Sequence, residues 1–163
     1  MTDGIARLHF MVGEWDIEAF RMGEESGEWE PSPQPTGTRI DSVFDGAFLQ
    51  EDEVKMMLGD QVIRFFIMWS YDKYREVYRM VASDDTDGLT DILEGGFNEG
   101  TDTIVVSNLN TGTAPQDEDG NQAFLRLTST QNDPNRFTDE MHESYDGGES
   151  WVAVYRAIHA RKS

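Results

Sequence analysis

From residue 38 to residue 160 the chain is a succession of strand-length runs separated by compact turn sequences, and no other pattern restricts its fold as strongly. The runs fall at about 38–44, 48–58, 61–71, 76–83, 89–97, 103–109, 122–130, 136–145 and 151–160. Turn chemistry stands between them. Gly59-Asp60 has the length of a two-residue hairpin loop. Asp72-Lys73, Asp87-Gly88, Asn98-Glu99-Gly100, Asp133-Pro134-Asn135 and Asp146-Gly147-Gly148 carry residues that tolerate turn dihedrals. Connections this short exclude parallel pairing, which needs a crossover of roughly a dozen residues or more.

Another strand precedes the series. Trp15, Ile17 and Ala19 alternate with Glu14, Asp16 and Glu18, the period-two pattern of a strand with one buried face. Before it, Ile5, Leu8 and Val12 recur at helical spacing, with Thr2 or Asp3 as cap and Gly13 as terminator, which predicts a short helix. Residues 23–37 hold Pro31, Pro33 and Pro35 among several glycines and read as a loop with a short edge segment around Trp29. Residues 110–121 are polar and acidic, and a mobile loop is expected there. The whole predicts an all-β chain, an antiparallel meander of about ten strands with a short N-terminal helix, in one domain over 1–163. Closure into a barrel removes the exposed edges of such a meander; a two-sheet sandwich is the alternative.

The opening His9-Phe10-Met11-Val12-Gly13-Glu14-Trp15 sets Gly-x-Trp on the first strand. Phe44-Asp45-Gly46-Ala47-Phe48-Leu49-Gln50-Glu51 combines a glycine-containing turn, an aromatic-Leu pair and acidic residues. Trp69-Ser70-Tyr71-Asp72, followed by Lys73-Tyr74, leads an aromatic-Tyr-Asp turn into the next strand. In this order the three segments resemble the signatures of a bacterial family of unknown function with lipocalin-like (calycin-like) β-barrels, distantly similar to the nitrobindins. The resemblance implies that the Trp15 ring plugs one end of the barrel beneath an arginine of the last strand. Arg156 and Arg161 lie there on opposite faces, and the sequence does not choose between them. Nitrobindins bind haem and carry a longer Gly-x-Trp-x-Gly-x-Gly opening. This chain has Ile17 and Ala19 where the later glycines would stand, which argues against haem.

Composition narrows the function classes. With 32 acidic and 13 basic residues the net charge is −19, so nucleic acid and anionic membrane surfaces would repel the chain. The absence of cysteine excludes disulfides, thiolate metal ligands and a cysteine nucleophile. No signal-peptide pattern or membrane-length apolar run is present, and a cytoplasmic location is expected.

The candidate site residues come from the central strands. Arg64, Phe66 and Met68 share one face of their run, and Ile63, Phe65, Ile67 and Trp69 the other. Two apolar faces predict that one lines the interior while the other meets a partner subunit or the covering helix, which makes a homodimer an expectation. The ligand-lining set is taken as Arg64, Phe66, Met68, Tyr78, Met80, Arg126 and Tyr155. Arg64, Arg79 and Arg126 are candidates for an anionic head group, with Glu53, Asp91 and Glu94 as alternative ion-pair partners. Eight methionines and eighteen aromatics suit an adaptable apolar cavity, and barrels of this size commonly leave one. The expected function is binding of a small apolar or amphipathic molecule in the interior, with no cofactor. One alternative is acid–base catalysis in the same cavity by His142 or a buried carboxylate. Another is haem bound through His159. The three histidines have no metal-binding spacing, and the 84–88 turn lacks a calcium-loop register.

Overall fold

The computed structural model describes residues 4–86 and 88–163, with the side chains of all of these except Glu53 and Leu58. The proposed caps Thr2 and Asp3, Asp87 of the Asp87-Gly88 turn and the pairing of Glu53 therefore lie outside the described residues. The strands are β1 (Gly13–Met22), β2 (Trp29–Ser32), β3 (Gly37–Val43), β4 (Phe48–Leu58), β5 (Gln61–Asp72), β6 (Val77–Asp84), β7 (Thr90–Phe97), β8 (Thr103–Ser107), β9 (Phe124–Asp133), β10 (Arg136–Ser144) and β11 (Val152–Arg161). Each predicted run appears with its ends displaced by three residues or fewer.

From β3 to β11 every strand pairs antiparallel with the next, and β11 returns to pair with β1 from Trp15 opposite Arg161 to Arg21 opposite Tyr155. That seam closes a ten-stranded barrel and rules out the sandwich. β2 and β3 share one edge of β1: β3 lies beside its first half and β2 beside its second.

Alternation then sorts each strand into an inner and an outer face. On β5, Ile63 and Trp69 are buried, whereas Arg64 and Phe66 are exposed. Both faces of β5 are bulky and apolar, so hydrophobicity alone leaves the register ambiguous. Arg64 decides it, because enclosing a guanidinium costs several kcal/mol, of order 5, unless a full set of partners comes with it.

One end of the barrel is closed by the N-terminal segment. Residues Gly4–Met11 form a 3-10 helix, and its buried side chains, Leu8 and Met11, stand three apart. Val12, expected on the buried face of an α-helix, falls beyond the helix, because the tighter three-residue turn shifts that face onto Met11. Tyr78 Oη donates to the Gly4 carbonyl at 2.8 Å, and Trp15 Nε1 donates to the Met11 carbonyl at 2.8 Å. Trp15 is 1 % exposed and meets Phe137 edge-on with ring centroids 4.8 Å apart. Arg161, not Arg156, covers the indole: its guanidinium carbon lies 4.2 Å from the ring centroid, and Nη1 donates to the Val12 carbonyl at 3.0 Å. Arg156 stacks instead on Trp29 and pairs with Glu140 on the outer surface.

Gly13 is needed twice over. Its φ is +140°, and a Cβ there would stand 2.4 Å from Arg161 Nη1. We predict that Gly13→Ala lowers the unfolding free energy in urea by about 2 kcal/mol, combining backbone strain with displacement of Arg161. In an Arg161→Ala background the same change costs less, since only the strain remains. Equal costs in the two backgrounds would show that the glycine does not make room for the arginine.

Candidate functional site

Behind the plug the barrel is not filled. Two adjoining chambers share Met56, Ile67, Met80, Met141 and Tyr155 in their walls. The wider chamber, about 390 Å³, lies away from the plug and is overwhelmingly apolar. Exposed Arg21 and Leu89 stand among its lining residues, so this end opens to solvent. Its volume falls in the range of small-molecule sites, roughly 300–1,000 Å³. The narrower chamber, about 60 Å³, reaches down to Met11, Trp69 and Phe137 beneath the plug.

The narrow chamber has polar groups of its own. Glu51 on β4 accepts a 2.8 Å hydrogen bond from Thr38 Oγ1. Asp139 on β10 accepts one from Ser129 Oγ. Tyr155 and His159 on β11 line the same space. His159 is 4 % exposed, stacked flat on Phe137 at 3.9 Å with the Trp15 ring edge-on to it, and its Nδ1 has no hydrogen-bond partner. Both carboxylates keep part of their surface accessible, but that surface faces the enclosed cavity.

Enclosure sets the protonation of this group. Loss of bulk water pushes Glu51 up to about 7, opposed by the Thr38 hydrogen bond and reinforced by the nearby charge of Asp139. Asp139 is raised for the same reason, with His159 and the Ser129 hydrogen bond pulling the other way. Burial lowers His159 and keeps it neutral despite Asp139. Tyr155 is pushed up by burial and by both carboxylates, so it stays a phenol. The floor of the cavity thus offers two carboxyl groups, a neutral imidazole and a phenol. Glu51 can take up or release a proton near neutrality.

The sequence-based lining set divides between the two surfaces of the barrel. Tyr78, Met80 and Tyr155 point inward; Tyr78 belongs to the closed end, Met80 and Tyr155 to the cavity. Arg64, Phe66, Met68 and Arg126 are on the outer face, which corrects the expectation that they line the interior. Arg64 pairs with Asp85 at 2.8 Å, and Arg126 stacks on Trp151 at 4.6 Å. Arg79 bridges Asp72 at 2.9 Å and Glu94 at 2.6 Å, also outside. No anion-binding group of three arginines forms, because each finds a surface partner at far lower desolvation cost than the interior would impose. Of the expected ion-pair partners, Glu94 takes that role, while Asp91 is buried at the open end. There Asn108 Nδ2 and Thr113 Oγ1 donate to it at 2.8 and 2.7 Å.

Asp91 also explains the 110–121 segment. Thr113 ties it to β7, Ala114 is 8 % exposed, and Asp117 accepts from the backbone amides of Asp119 and Asn121. The segment is a held loop whose Pro115 forms part of the cavity wall, rather than the loose excursion its composition suggested. His142 lies on the outer face, 3.2 Å from Glu140, away from the cavity.

Haem does not fit at His159. The imidazole is covered by Phe137, and the space beside it, about 60 Å³, holds about two water molecules at liquid density. The buried setting of His159 also differs from the solvent-facing position its place on the last strand suggested. Among the described residues, no three His, Asp or Glu side chains come together in a way that could hold a metal ion.

A family model described as "Protein of unknown function (DUF1579)" matches residues 5–161. Among solved structures, that of Rv2717c from M. tuberculosis is similar at 13 % identity, covering 98 % of this chain and 97 % of that one with a TM-score of 0.48. No curated protein gives a significant match. No helix among the described residues is long and apolar enough to cross a membrane.

The raised Glu51 makes a testable contribution to stability. Between about 4.5 and 7 the folded state holds a proton that the unfolded state has released. This contribution is therefore complete below 4.5 and is lost as pH rises through 7. The lowered His159 and His142 act in the opposite sense, since unfolding lets them protonate as pH falls below 6.5. Comparison with Glu51→Gln isolates the carboxylate. The variant should gain on the wild type as pH rises from 5 to 8, by at most about 3 kcal/mol in chemical denaturation, less to the extent that water enters the cavity. A difference that does not change with pH would place Glu51 in a bulk-like environment.

Proposed function

The chain belongs to the DUF1579 family of proteins of unknown function, so its activity has to be read from its own geometry, and we propose that it binds a small amphipathic molecule inside the barrel. The observation that carries this reading is the pair of adjoining chambers inside the barrel, a wide and mostly apolar one open at one end and a narrow one with Glu51, Asp139, Tyr155 and His159 in its wall. A ligand tail in the wide chamber would leave water for a surface of methionine, leucine and phenylalanine side chains, at roughly 25 cal/mol per Å² of apolar area buried. Its polar end would meet Glu51, Asp139, Tyr155 and His159. On this reading the ligand lies toward the open end and the interior, and away from Arg64, Phe66 and Met68. Acid–base catalysis is a second reading, supported by a carboxylate held near neutrality in an apolar space. Glu51, rather than His142, would be the group to move the proton.

A neutral environment-sensitive fluorophore, N-phenyl-1-naphthylamine, tests the binding reading. It should bind the wild type with a blue shift and saturate at one per chain. Ala82→Trp, which fills the wide chamber from β6, should abolish the signal, whereas Phe66→Ser on the outer face should leave it unchanged. The reverse pattern would move the site to the outer surface.

A further inference from the structure

The chemistry of the narrow chamber restricts what can occupy it. Across both chambers the lining carries five carboxylates, Glu51, Asp139, Asp84, Asp91 and Glu143, against one guanidinium, Arg21 at the open end. At the floor, the charge of Asp139 raises the cost of ionising Glu51, and each of the two accepts from a single hydroxyl donor. A carboxylate can accept about four hydrogen bonds, so acceptor capacity is left over. His159, which is 4 % exposed and lines the same chamber, adds a buried Nδ1 with no well-formed hydrogen bond, although backbone groups of Ala157 and Phe137 act on the ring. A buried polar atom left unpaired costs about 1–3 kcal/mol and calls for a partner. The chamber thus offers spare carboxylate acceptors beside the Tyr155 hydroxyl and the His159 ring, and its size is that of a small head group.

We infer that the narrow chamber is a site for the ammonium head of a small apolar amine, with the amine's hydrocarbon tail in the wide chamber. The inference rests on the binding reading above and gives the ligand its chemical class. A primary ammonium brings three N–H donors and one positive charge, and so addresses both the spare acceptor capacity of the carboxylates and the opposition of Asp139 to ionised Glu51. Its hydrogen bonds are about 2.7–2.9 Å long, against metal–ligand distances near 2.0–2.2 Å. It does not need the closely set ligand cluster that a metal ion requires, and none is found among the described residues. An anionic head would face two carboxyl groups with no cation at hand. A net charge of −19 further favours approach of a cation over that of an anion.

Titration calorimetry with three six-carbon probes that differ only in the head, hexylamine, 1-hexanol and hexanoate, tests this on the wild-type chain. Hexylamine should bind at least about tenfold more tightly than 1-hexanol, and hexanoate should bind most weakly. Entry of the cation should ionise Glu51, whose surroundings are Asp139, Tyr155, His159 and the Thr38 hydroxyl. Repeating the titration in buffers of different ionisation enthalpy should then show proton release with hexylamine at pH 6 that shrinks at pH 8, and none with 1-hexanol. Glu51→Gln and Asp139→Asn, both close in shape to the native side chains, should each narrow the amine-to-alcohol ratio. Their folding is checked by retained binding of the neutral fluorophore. Equal affinity for the three heads, preference for hexanoate, or no proton release would overturn the inference while leaving cavity binding in place. Failure of both the probes and the fluorophore to bind would overturn the binding reading with it.

Discussion

The pairing of β11 with β1 is the constraint on which the rest of this molecule depends. It turns a meander with two open edges into a closed wall, and it brings the chain's last residues against its first. The end of that seam is where Trp15 and Arg161 face one another, with Phe137, Met11 and the N-terminal helix completing the plug. A seam without the plug would leave a tube open at both ends. A plug without the seam would have no arginine to cover the indole.

The plug also determines where chemistry can occur. Because it fills one end with aromatic and aliphatic side chains, the residual space is displaced toward the other end, and polar groups just below the plug are cut off from bulk water. Glu51, Asp139 and His159 owe their shifted protonation to that position more than to any single neighbour, since burial is the largest influence on each. The outer wall works in the opposite way. Its arginines are paired within the surface, Arg79 between Asp72 and Glu94 and Arg64 with Asp85, where such pairs cost little to form.

Much of the fold was legible because period-two alternation and turn residues are local signals. The ten staves and the hairpin at Gly59-Asp60 follow from a few adjacent residues each, whereas the room Gly13 leaves for Arg161 is set by the far end of the chain. The site was less legible because it depends on which face of each strand turns inward. On β5 both faces are apolar, and Arg64 was read with Phe66 and Met68 as an inward, ligand-binding group, whereas its desolvation cost turns that face outward. On β10 a usable signal was present: Asp139 has the parity of Phe137 and Met141, two apolar residues, and so belongs to the interior. Glu51 has the parity of Leu49, but it sits in the acidic run Glu51-Asp52-Glu53, and an irregularity in the pairing of β4 with β5 follows it. In such a run an enclosed acid looks like its solvated neighbours. The partnerless Nδ1 of His159 is a fact of three-dimensional packing and had no sequence signal.

Four methionines, Met56, Met57, Met80 and Met141, contribute to the wall of the wide chamber. Unbranched thioether side chains have three freely rotating bonds and a polarisable sulfur, so they reshape around different guests at little energetic cost. The two halves of the cavity therefore divide the work of recognition unequally, a pliant wall that tolerates many outlines and a fixed polar floor that tolerates few charges. The same wall is open to oxidants that reach the interior. Conversion of a thioether to its sulfoxide would place a strong acceptor in the apolar half and erase the polarity gradient between the two ends.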